Sequence, residues 1–147
     1  MAILSKDRIS LQASAADKAG AIRKAGELLV KSGCVSPEYI DGMLTREQSM
    51  STSLGNVVAI PHGIYENRAH ILRTGISVLQ VAEGVEWDEG EKVYLVIGIA
   101  ASSDEHVGVL SNLADVIDHE ETLAELLSTS DPDVILKHLS EKQFSSI

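Results

Sequence analysis

The chain has 147 residues, enough for one domain with a real core. A formal net charge of −10, from 12 Lys+Arg against 22 Asp+Glu, sets it against nucleic acid and anionic membrane surfaces. Cys34 is the single cysteine, which excludes an internal disulfide and suits a reducing compartment. The opening MAILSKDRIS is too polar for a signal peptide, and no apolar run approaches the ~20 residues of a membrane helix. These features predict a soluble, cytoplasmic protein with no direct membrane insertion.

Ile9 to Gln12 reads as a short strand. Ser14, followed three residues later by Asp17, looks like a helix start. Ala19, Ile22, Ala25, Leu28 and Leu29 then form a helical apolar stripe, with Gly33 as its stop. Ser36-Pro37 opens a second helix ending near Gln48, with proline where no amide is missed. Ser49 to Gly55 is a small polar loop, and Val57 to Ile60 a short buried strand ended by Pro61. Ile76 to Val81 reads as a strand, and Gly84 to Gly90 as a loop holding Trp87.

Val93 to Ala100 is nearly all apolar, as expected of a strand buried on both faces. Ser103, Asp104 and Glu105 start a helix whose inward stripe is Val107, Leu110, Leu113, Ala114 and Ile117. Two short helices follow, Glu120 to Leu127 and Pro132 to Leu139. The pattern predicts an α/β fold: a single domain over residues 1–147, with a mixed, mostly parallel β-sheet flanked by helices on both faces.

Five histidines are candidates for chemistry. His70, His119 and His138 lie in polar context and are expected to face solvent. No tight HxxxH spacing or cysteine cluster exists, so no metal site is expected. His62 and His106 each follow an apolar strand. Ligands of open α/β sheets bind beyond the carboxyl ends of strands. If the two strands are parallel, both imidazoles share that edge; otherwise they are two unrelated loop histidines. His106, in the first turn of its helix, is expected to stay neutral, beside amides suited to an anion.

Arg46 is either a bidentate phosphate ligand or an exposed arginine paired with Glu47 or Glu38. Thr52 and Asn56 either donate to phosphate or shape a turn. The residues SLGN make no Walker loop, so ATP is not the expected donor.

The segment REQSMSTSLGNVVAIPHG, Arg46 to Gly63, resembles the active-site signature of phosphotransferase-system enzyme IIA domains of the mannitol/fructose class. The later IGIAASSDEHVGVLSNLAD is similar to that family's second histidine region, and the likeness covers essentially the whole chain. The resemblance implies that His62 is the phosphorylated histidine and that His106 supports the phosphoryl group. It also implies that Arg46 approaches phosphate and that Thr52 belongs to the motif. Val57 departs from it, standing where many members carry glycine after the asparagine.

The implied partners are HPr as phosphoryl donor and a cysteine of enzyme IIB, part of a membrane sugar permease, as acceptor. No cofactor is implied. GVEWDEGEKVYLVIGIA and SPEYIDGMLTRE look most like mannitol-type members. The alternative is a nitrogen-regulatory type IIA protein that signals through phosphorylation-dependent binding.

Overall fold

The computed structural model describes residues 4–55, 57–63, 69–88, 90–101, 111 and 113–141. After a 3-10 turn at Lys6–Arg8 come strand β1 (Ile9–Ala13), helices α1 (Lys18–Lys31) and α2 (Glu38–Ser49), and four further strands. These are β2 (Ser53–Gly55), β3 (Val58–Ala59), β4 (Gly75–Glu86) and β5 (Lys92–Ala100). Helical residues 113–118 (α3), α4 (Glu120–Ser128) and α5 (Pro132–Leu136) follow, and α5 runs into a π-helical turn at Lys137–Glu141.

The strands form one sheet in the order β1-β4-β5-β3-β2. It is mixed, as expected: β1 with β4 and β3 with β5 are parallel, while β4 with β5 and β2 with β3 are antiparallel. The apolar stripes bury both faces. Ile76 and Val78 of β4, with Leu95, Ile97 and Ile99 of β5, pack against Leu113, Leu126, Ile135 and Leu139 of the C-terminal helices. The alternate residues Leu79, Val81, Val96 and Ala100 pack against Ile22, Ala25 and Leu29 of α1 and Met43 of α2. The period of two along a strand is what separates the two sets.

Helix α1 begins three residues later than Ser14 suggests. Asp17 is its cap, with a carboxylate that accepts the Gly20 N–H at 2.7 Å. The helix lies close over the sheet because Gly98 of β5 has no side chain. A Cβ there would stand 2.6 Å from Ser77 Oγ, which donates to Ala25 O of α1 at 2.8 Å.

The expected Gly84–Gly90 loop is corrected: β4 continues to Glu86. Gly84 takes a φ of +76° where the β4–β5 register shifts, and the strand re-pairs at Val85 with Val93. A glycine bulge thus bends the strand instead of ending it, and delivers Trp87 into the interior. The expected helix start at Ser103 to Glu105, and Val107 and Leu110 of its stripe, lie outside the described residues. Cys34 is buried. None of the helices among the described residues is long and apolar enough to cross a membrane.

Candidate functional site

Two parallel strands set the site. Val58 and Ala59 of β3 lie opposite Leu95 and Val96 of β5. Pro61 interrupts β3 because it has no N–H to donate, yet its carbonyl accepts the Ile99 N–H at 3.0 Å. His62 then makes one further parallel bridge, to Ile99. The imidazole therefore emerges at the carboxyl end of β3, beside the carboxyl end of β5.

His62 as a residue is 9% exposed, so only a small part of it reaches solvent. Its Nδ1 lies 2.8 Å from the Ile60 carbonyl oxygen. A carbonyl only accepts, so in the neutral ring Nδ1 carries the hydrogen and the lone pair belongs to Nε2. Chain geometry two residues upstream thus selects the tautomer.

The backbone after His62 is fixed from α2. Tyr39, buried in that helix, accepts the Gly63 N–H at 2.9 Å and donates its own hydrogen to Ile99 O at 2.8 Å. Burial holds the phenol above its ordinary pKa of 10.0, against the opposing pull of the Gly63 N–H.

Arg46 sits in the last turn of α2, half-buried, with Nη1 donating to Met50 O at 2.6 Å. Glu47 turns inward instead, away from the pairing with Arg46 that sequence adjacency suggests. One Glu47 carboxylate oxygen accepts the Thr52 hydroxyl. The other accepts the Thr52 N–H at 3.0 Å and the Trp87 Nε1–H at 2.9 Å, and Lys18 Nζ lies 3.2 Å from it. Lys18 also lies 3.3 Å from Asp88, whose second oxygen accepts the Ser51 hydroxyl at 2.7 Å. The Ser51 hydroxyl and Lys18 hold the Asp88 carboxyl below its usual range.

Both donors of Thr52 therefore go to Glu47, while its carbonyl accepts the Ile60 N–H at 3.0 Å. This ties the last turn of α2 to the strand that leads to His62. His106 and Asn56 lie outside the described residues. The condition set for pairing His62 with His106 is met by the strands that precede them, which are parallel neighbours.

Of the remaining histidines, one faces solvent as expected and two do not. His119 is exposed at the head of α4. His70 is half-buried with Nδ1 3.0 Å from Ser36 Oγ, and His138 is half-buried against Glu125. His70 and His138 each gain a neighbour brought from elsewhere in the fold. Sequence reasoning also missed Tyr39 and Lys18, whose roles depend on partners 24 to 70 residues away. Glu47 carried a signal, standing beside Arg46 in the quoted motif. Among the described residues no cluster of His, Cys, Asp or Glu is suited to hold a metal ion.

The sequence profile of the "phosphoenolpyruvate-dependent sugar phosphotransferase system, EIIA 2" family matches residues 2–142. The chain belongs to this enzyme IIA family. Among its relatives is the mannitol-specific phosphotransferase enzyme IIA component of Bacillus subtilis, 41% identical over 136 residues, which cover 92% of this chain and 95% of that protein. The multiphosphoryl transfer protein of Haemophilus influenzae is 47% identical over 128 residues, 87% of this chain but only 26% of that longer protein. In three dimensions, this IIA chain matches the complex of enzyme IIAMtl and phosphorylated enzyme IIBMtl from Escherichia coli. The TM-score is 0.87 at 41% identity, covering 92% of this chain and 96% of the matched one.

Proposed function

We propose that this enzyme IIA chain is a cytoplasmic phosphocarrier, folded as one domain over residues 1–147, that serves mannitol uptake. It takes a phosphoryl group from phospho-HPr onto His62 and passes it to a cysteine of a sugar-specific enzyme IIB. The observation that carries this reading is the contact between His62 Nδ1 and Ile60 O. It presents Nε2 as the nucleophile, in a ring poised at a strand's carboxyl end. The mannitol-specific relative and the likeness to a IIA chain in complex with phosphorylated IIB support the sugar and the acceptor.

In the first transfer the Nε2 lone pair attacks phosphorus, forming a P–N bond. The bond between phosphorus and the donor breaks, its electron pair leaving on the donor. The ring gains positive charge as this happens, so the Nδ1–H bond to Ile60 O strengthens in the transition state. In the second transfer a thiolate of IIB attacks the same phosphorus, and the P–N pair returns to Nε2.

Arg46 and His106 are assigned to balance the charge on the phosphoryl oxygens, with Thr52 and Asn56 shaping the loop that brings them there. One Arg46 N–H is given to Met50 O, and the other guanidinium donors are those offered to phosphate. Met50, 68% exposed, lies in this loop and offers apolar contact to both partners.

His62→Ala is expected to abolish labelling in a reconstituted relay of phosphoenolpyruvate, enzyme I, HPr and this chain. Label retained on the variant rejects the assignment.

A further inference from the structure

We infer that Tyr39 is a positioning residue for phosphoryl transfer, acting through the backbone on either side of His62; this rests on the phosphocarrier reading above. A nucleophile buried to within a small window must be aimed by its backbone, because the ring has little freedom to seek the phosphorus. Among the described residues, these bonds contribute to the aiming. Ile60 O holds the ring, Ile99 N–H holds Pro61 O, and Tyr39 Oη holds Gly63 N–H. The same phenol donates to Ile99 O, so the residue that grips Pro61 is itself gripped by Tyr39.

Removing the phenol oxygen therefore loosens two of these restraints at once, at Gly63 and at Ile99. It also leaves the Gly63 N–H without its acceptor. Tyr39 and Arg46 are seven residues apart, two turns of α2, and so lie on the same side of the helix. That one rigid element both fixes the His62 backbone and carries the proposed phosphate ligand. The phenol needs no contact with phosphate or partner for this role, and at 2% exposure it is kept from the surface where they dock.

Tyr39→Phe keeps the buried ring and deletes only the oxygen. In the relay with saturating phospho-HPr, kcat for labelling His62 is expected to fall roughly 10- to 100-fold, as for a nucleophile displaced by up to an ångström. KM for HPr should hold, since the phenol touches no docking surface. A stability-matched control, Ile135→Val in the core on the other face of the sheet, should keep the wild-type kcat. Wild-type kcat in Tyr39→Phe, or a loss confined to KM, overturns the inference.

Amide exchange on the wild-type protein tests the geometry independently of whether the variant folds. The Gly63 amide should be protected, and free exchange with solvent overturns the inference as well. If the wild-type chain itself accepts no label, the phosphocarrier reading fails instead.

Discussion

Val57 holds a φ of 62°, in the left-handed region, at the turn between β2 and β3. A β-branched side chain there crowds the following carbonyl, at a cost of about 1–2 kcal/mol. Glycine removes the crowding but gives back part of the gain through the freedom of the unfolded chain. Val57→Gly is therefore expected to stabilise the protein by about 1 kcal/mol, raising Tm by roughly 3 °C in a chain of this size. A drop in Tm would show that the Val57 side chain contributes packing that outweighs its strain. The position was legible in the sequence as a departure from the family's glycine. That a valine nonetheless keeps the left-handed conformation follows from what holds the turn: Val57 O accepts both Tyr94 N–H at 2.9 Å and Leu95 N–H at 3.2 Å.

Helix α2 is the lever that joins core to site, and Glu47 is its fulcrum. The carboxylate is 6% exposed and gathers Thr52, Trp87 and Lys18 from three separate segments. Removing it leaves the Thr52 N–H and Trp87 Nε1–H without an acceptor, and leaves Lys18 held only by Asp88 and the face of the Trp87 ring, whose centroid lies 5.5 Å from its nitrogen. Glu47→Ala should lower stability by about 3 kcal/mol, read from urea unfolding, and should slow transfer as Thr52 and the end of α2 lose their tie. Unchanged stability would mean that water replaces the carboxylate fully.

Helices α1, α2, α4 and α5 and strand β5 were legible from apolar periodicity, because each buries one stripe or two whole faces. The continuation of β4 past Gly84 was not. A glycine at a bulge and a glycine in a turn read alike until the pairing of Val85 with Val93 is known. The inward turn of Glu47 was hidden for a similar reason, since its partners are assembled only by the fold.

Charge acts on the molecule as a body. His62 and its strand-end position were readable from the VVAIPH pattern, and the parallel pairing of β3 with β5 supplies the neighbourhood that pattern required. How a partner finds so small a window is a separate question, and the net charge of −10 bears on it. A field of this sign draws in a basic donor and raises the encounter rate, an effect screened over about 8 Å at physiological salt. The steering changes association and leaves the chemical step alone. Raising salt from about 0.05 M to about 0.5 M should therefore lower kcat/KM for HPr by roughly tenfold, with kcat unchanged. A fall in kcat of the same size would place the salt-sensitive charges at the phosphorus itself, implicating Arg46. No change in either would mean that the acidic surface keeps the chain soluble without guiding its donor.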